Sequence, residues 1–221
     1  AAYNYQVSLK DPGAYAHGNK YIVELLYDSI EDLNAKLGTI DMTGMARDDA
    51  GHFAGNTEAF RHWDAEGAVP GSCARCHSAS GLPQFLAEGT NISNPMSNGF
   101  ACTTCHDEEN WPSRYAVTSV TFPSGKSVTF STADADGKLV ANDANLCLEC
   151  HQGRSSKKAV DTAITGSGAA DADSPAAEGK RLSFSNIHYF AAGATLFGTE
   201  VQGAYEYEGK TYVGTHAHVT A

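Results

Sequence analysis

The chain has 221 residues, 42% of them hydrophobic, and no run approaches the ~20 consecutive apolar residues that a membrane span needs, so a soluble chain of one domain is expected. Fifteen basic against 26 acidic residues give a formal net charge of -11. That balance argues against nucleic-acid binding, which rests on Lys and Arg neutralising phosphates, and its plain use is solubility.

The chain opens at Ala1 rather than a methionine, which gives the expectation of a mature, exported chain whose signal peptide has been removed. Residues 1–18 read as an irregular N-terminal arm carrying His17. Residues 19–37 read as a helix, because Ile22, Leu26, Ile30, Leu33 and Leu37 recur at helical spacing and Gly38 can end it. Core packing is the expected use of that stripe. Residues 39–72 hold His52 and His62, the latter on a short helix that Asn56 or Thr57 can cap. Cys73-Ala-Arg-Cys76-His77 follows, then a short helix over Ser80–Glu88, then Cys102-Thr-Thr-Cys105-His106. Residues 115–131 read as a hairpin, with Val117, Val120 and Phe122, a turn at Pro123-Ser-Gly125, then Val128 and Phe130. Cys147-Leu-Glu-Cys150-His151 lies on a helical turn between Asp143, a candidate N-cap, and Gly153, a candidate C′ residue. Residues 165–180 are rich in Gly, Ala, Ser and Asp and read as an exposed loop. His188 follows, a second hairpin is expected over Tyr205–Val213 with its turn at Glu208-Gly209, and the tail carries His216 and His218.

All six cysteines fall in three C-x-x-C-H frames, the attachment signature of haem c. Two thiols add across the two vinyl groups of one porphyrin and become thioethers. The two intervening residues let both sulfurs reach one porphyrin edge, and the next residue supplies a proximal imidazole. On a helical turn the two cysteines and the histidine share one face, at i, i+3 and i+4. A disulfide framework would use six cysteines equally well, but gives no reason for a histidine after every second one. Zinc pairs two C-x-x-C knuckles, and three knuckles leave one over. A thioredoxin-like motif occurs once per domain. Three covalent haems are therefore expected, held by Cys73, Cys76, Cys102, Cys105, Cys147 and Cys150, with His77, His106 and His151 on the irons.

Six histidines remain: His17, His52, His62, His188, His216 and His218. Against them stand only three methionines, Met42, Met45 and Met96. The comparison favours imidazole on both sides of each iron, and low potentials, since axial methionine raises them. His62, His188, His52 and His17 are the candidate distal ligands, with one of His216 and His218. A closed six-coordinate iron has no substrate position, so an electron carrier is expected rather than an enzyme; no C-x-x-C-K frame marks an open iron. The fold class that follows is coil-rich, with short helices and one or two β-hairpins, organised around covalently bound haems whose apolar faces replace much of a conventional core.

Several segments carry a family resemblance: Phe60-Arg-His62-Trp63-Asp64, Val69-Pro70 through His77-Ser78, Gly99-Phe-Ala-Cys102 through His106, Leu146-Cys147 through Arg154, and Ile187-His188-Tyr189 with Ala191 to Leu196. They resemble multihaem cytochromes of metal-reducing bacteria and archaea, and among these the small tetrahaem cytochromes that polymerise into extracellular nanowires. The resemblance implies a coil-rich subunit with closely spaced bis-His haems, stacked through a homopolymer in which a subunit can lend one axial histidine to its neighbour. His17 is the candidate for that exchange, the alternative being ligation within its own chain. These relatives usually carry a fourth C-x-x-C-H; here the chain is either a trihaem variant, or a fourth haem comes from chain beyond residue 221 or from a neighbouring subunit. Three functions are weighed: a secreted, extracellular or cell-surface filament passing electrons to external acceptors; a discrete periplasmic shuttle between redox partners; and a haem reductase of small oxyanions, which would need one five-coordinate iron.

Overall fold

The computed structural model describes residues 1–11, 19–48, 54–129, 134–138, 140–212 and 214–215. The chain divides into two compact units, Ala1–Thr104 and Cys105–Ala221.

The first unit begins with α1 (Ala2–Lys10) and α2 (Asn19–Leu37). The expectation of an irregular arm over residues 1–18 is corrected over 2–10. A nine-residue helix is too short to stand alone in water, and α2 supports it. The Asn4 side-chain amide of α1 donates to Leu25 O at 3.4 Å and Ser29 Oγ at 2.9 Å on α2. α2 has the predicted bounds and ends where Gly38 adopts φ +63° and its N–H donates to Asn34 O. The polypeptide alone covers the apolar stripe of α2 only in part. Ile22, Leu26 and Ile30 are only half-buried, while Leu33 and Leu37 are 47% and 66% exposed. The bonds from α1 reach α2 around Leu25 and Ser29, and the C-terminal end of the stripe lies beyond them.

Next come α3 (Glu58–Arg61), β1 (Ala68–Val69), α4 (Gly71–His77), α5 (Gly81–Glu88) and β2 (Asn94–Pro95). β1 and β2 pair antiparallel, Ala68 with Pro95 and Val69 with Asn94. Phe60, Val69, Ala74 and Leu82 are buried, and the Phe60 ring meets Phe100 edge-on at 5.1 Å. α4 and α5 pack so closely that a Cβ at Gly81 would overlap the Ala74 carbonyl. Ser78 ties the same joint, donating from Oγ to Ala74 O and accepting from Gly81 N.

The turn α6 (Cys102–Cys105) spans the junction between the units. In the second unit β3 (Val120–Thr121) and β4 (Ser127–Val128) form the hairpin expected within residues 115–131, with Val120 opposite Val128; Phe130 lies outside the described residues. A 3-10 turn (Asp143–Cys147) runs into α7 (Leu148–His151), followed by α8 (Lys157–Gly166), α9 (Ala192–Leu196) and α10 (Gly198–Val201). Val120, Phe122, Leu148, Phe197 and Val201 make the core of this unit. The cap of the 3-10 turn is Asn142, not Asp143: its side chain accepts from Ala144 N at 2.7 Å, while Asp143 pairs with Arg114 at 2.8 Å. Gly153 takes the left-handed φ of +84° expected after the turn. α8 corrects the start of the loop expected over residues 165–180, since Thr165 and Gly166 belong to its last turn; residues 168–180 are mostly exposed, as expected. The second hairpin is corrected. Glu208-Gly209 does turn, with Gly209 at φ +72°, but no strand forms in residues 205–212, and Val213 lies outside the described residues. The Tyr207 N–H there donates to the Tyr212 hydroxyl instead of a cross-strand carbonyl.

The fold is thus coil-rich, with short helices and two small antiparallel pairings. Among the described residues no helix is long and apolar enough to cross a membrane.

Candidate haem-binding sites

Each C-x-x-C-H segment lies on a short helical turn or runs straight on from one, and the three share one division of labour. The residues between the cysteines anchor the turn: Ala74 in the first, Thr104 in the second, Leu148 and Glu149 in the third are all buried. The cysteines face outward. Cys102 and Cys147 are exposed, and Cys73, Cys76, Cys105 and Cys150 are half-buried. A turn of 3.6 residues produces this result, because burying the spacer puts the thiols and the following imidazole on the accessible side. Thr104 shows how the anchoring works: its hydroxyl donates to Ala79 O at 2.7 Å and accepts from Ala101 N at 3.1 Å.

The three motif histidines share a second feature. His77 Nδ1 lies 2.8 Å from Ala59 O, His106 Nδ1 2.7 Å from Pro112 O, and His151 Nδ1 2.8 Å from Phe190 O. A carbonyl oxygen can only accept, so Nδ1 carries the proton in each ring, and in the neutral imidazole Nε2 is left with its lone pair. That is the tautomer a metal ligand needs, with orientation supplied by an outer contact. Indoles lie against two of the rings, Trp63 at 5.3 Å from His77 and Trp111 at 5.0 Å from His106.

Local folding places the three acceptors. α3 brings Ala59 to α4. The loop after α6 folds back through Asp107 N to Ser113 O and Tyr115 N to Cys105 O, setting Pro112 beside His106. Burial, reinforced by the Asp107 and Glu108 carboxylates, pushes the Tyr115 phenol up. Segment 187–190 closes on the third motif through Arg154 N to Ile187 O at 2.9 Å and the His151 contact.

Of the candidate distal histidines, two are described. His62 is the C-cap of α3, 60% exposed, with Nδ1 2.7 Å from Glu58 Oε1 and its ring edge-on to Trp63 at 4.9 Å. His188 is half-buried in a left-handed conformation, φ 78°, and its N–H donates to Asn186 Oδ1 at 2.8 Å. His17, His52, His216 and His218 lie outside the described residues. The carbonyls of Ala59, Pro112 and Phe190 were missed in the sequence, and no residue-type signal could have shown them, since any residue supplies a carbonyl. Glu58 was missed too, although its position four residues before His62 was there to read.

These donors fit haem c: paired thiols and an oriented imidazole on one accessible face, three times over. Among the described residues no three His, Cys, Asp or Glu side chains gather as a metal-binding group.

Residues 58–165 match the family described as cytochrome c7 and related cytochrome c. The chain is 30% identical over 186 residues to the C-type polyheme cytochrome OmcB of Geobacter sulfurreducens, in each of two strains, an alignment covering 70% of this chain and 22% of the relative. It is also 30% identical over 236 residues to the C-type polyheme cytochrome OmcC of the same species, covering 91% of this chain and 27% of the relative. The chain therefore spans about a quarter of the length of the curated relatives it matches. No solved structure matches it. The family match starts at Glu58 and runs through all three C-x-x-C-H turns, and this chain belongs to the multihaem c-type cytochromes.

Proposed function

We propose that the chain is an electron carrier, with haem c attached at Cys73 and Cys76, Cys102 and Cys105, and Cys147 and Cys150. His77, His106 and His151 bind the irons through Nε2. His62 and His188 act as distal ligands, and the third distal ligand is drawn from His17, His52, His216 and His218. Bound haem supplies one-electron Fe(III)/Fe(II) chemistry. The protein's part is to tether the porphyrin edge, hold each imidazole in one tautomer and tilt, and close both axial positions. The observation that carries this reading is the shared Nδ1-to-carbonyl contact of all three motif histidines. Pyridine haemochrome analysis together with denaturing mass spectrometry tests it. Three porphyrins that survive acid-acetone extraction are expected; a chain from which acid-acetone strips all haem ends the reading.

The finer reading is a subunit of a secreted filament that conducts electrons to external acceptors, with His17 lent to a neighbouring subunit. The resemblance of the motif segments supports it. So do large side chains left at the surface near His188, with Phe184 at 90%, Tyr189 at 78% and Phe190 at 82% exposed, since exposed apolar clusters mark interaction surfaces. Electron microscopy of the holoprotein is expected to show polymers. Monomers alone would replace this reading with that of a discrete periplasmic shuttle.

A further inference from the structure

Among the imidazoles assigned to iron above, His62, His77, His106 and His151 each have an Nδ1 partner, and that of His62 differs in kind. His77, His106 and His151 face neutral backbone carbonyls. His62 faces a carboxylate, Glu58 Oε1, at 2.7 Å. A carboxylate draws the Nδ1 proton more strongly than an amide carbonyl does and brings negative charge within one ring of the metal. Both effects make the imidazole a more electron-rich ligand, which favours ferric over ferrous iron. From the assignment of His62 as an axial ligand in the preceding section, we propose that Glu58 lowers the reduction potential of the one haem that His62 caps, so that the haems of this chain are not equivalent as carriers.

A bland account is available. Glu58 and His62 stand four apart along α3, and exposed pairs at this spacing are common and weakly stabilising. Two observations speak for more than a surface pair. The short contact is made at Nδ1, which leaves Nε2 as the coordinating nitrogen. The His62 ring is also held from a second direction by Trp63, nearly perpendicular at 79°, so its plane is defined by two groups rather than one. Trp63 in turn touches His77, which places the tuned ligand beside the proximal ligand of the first motif. Glu58 is thus a positioning and tuning residue for His62; it does not touch iron.

The test is a spectroelectrochemical titration of the fully loaded protein, with EPR to count low-spin haems. In Glu58→Gln one haem midpoint is expected to move to higher potential while the others stay in place and every haem remains low-spin. Glu58→Lys is expected to move the same haem further in the same direction. His62→Ala is expected to convert one haem to high-spin. If His62→Ala does so while both Glu58 variants leave every midpoint unchanged, the proposed tuning is overturned and the ligand assignment stands. If His62→Ala leaves every haem low-spin, the ligand assignment itself fails and the tuning proposal falls with it.

Discussion

The third motif shows how much local strain is tolerated to place one carbonyl. His188 and Phe190 both adopt left-handed backbone, φ 78° and 54°. Each such residue costs on the order of 1–3 kcal/mol and persists only where its surroundings hold it. Three contacts hold it here: Asn186 Oδ1 on His188 N, Arg154 N on Ile187 O, and His151 Nδ1 on Phe190 O. Gly153 permits the approach, because a Cβ there would lie 3.0 Å from Ile187 Cγ1 on a backbone at φ +84°. Gly153→Ala is therefore expected to destabilise the holoprotein by roughly 1–2 kcal/mol and to disturb selectively the haem proposed at His151; thermal unfolding and the EPR signal of that haem check it. Asn186→Ala removes one of the three restraints and is expected to act on the same segment with a smaller change in melting temperature.

Among the elements, the 3-10 turn before Cys147 depends on its cap. Asn142→Ala leaves the Ala144 N–H without its acceptor, and a loss of about 0.5–2 kcal/mol is expected, read as a lowered melting temperature. Asp143→Ala is a different experiment, since Asp143 serves Arg114 rather than the turn. α2 is pinned through Asp28, whose carboxyl is held below the usual carboxylate range by hydrogen bonding to the Arg47 guanidinium, at 2.7 and 2.9 Å. A carboxyl depressed in the folded state stabilises above its unfolded value, and that stabilisation is lost as pH falls through the lower, folded one. The Arg47 loop is thus expected to detach from α2 only in strong acid; NMR shifts of Arg47 Nε followed against pH check it, and detachment near neutrality would contradict it.

At the scale of the whole molecule, the described residues bury little apolar side chain. The core of the second unit is a cluster around Val120, Phe122, Leu148, Phe197 and Val201, and large residues such as Leu37, Trp111 and Phe184 stay exposed. Burial of apolar surface supplies roughly 25 cal/mol per Å², so porphyrin faces tethered at the outward cysteines would add stabilisation on the side of each turn that the protein leaves open. Double substitution of Cys102 and Cys105 by Ala is expected to remove one haem from the denaturing mass and to lower thermal stability well beyond the effect of either Cys→Ser change alone. Equal stability with and without that pair would refute a structural role for the porphyrin.

Much of the chemistry was legible without coordinates because it is set by short-range covalent spacing. C-x-x-C-H, the stripe over residues 19–37, the Ser80 start of α5 and the Pro123-Ser-Gly125 turn are each determined within a few residues, and the folded chain contains the corresponding turns and helices. What only the tertiary structure decided is which atoms orient the motif histidines. The carbonyls on His77, His106 and His151 come from 18, 6 and 39 residues away, and a backbone oxygen carries no residue-type signal. The helix at Ala2–Lys10 and the missing strands after Tyr205 belong to the same class. A nine-residue helix exists only if a neighbour supplies partners such as Leu25 O and Ser29 Oγ, and a strand only if a second strand answers it; neither condition is written in the segment itself.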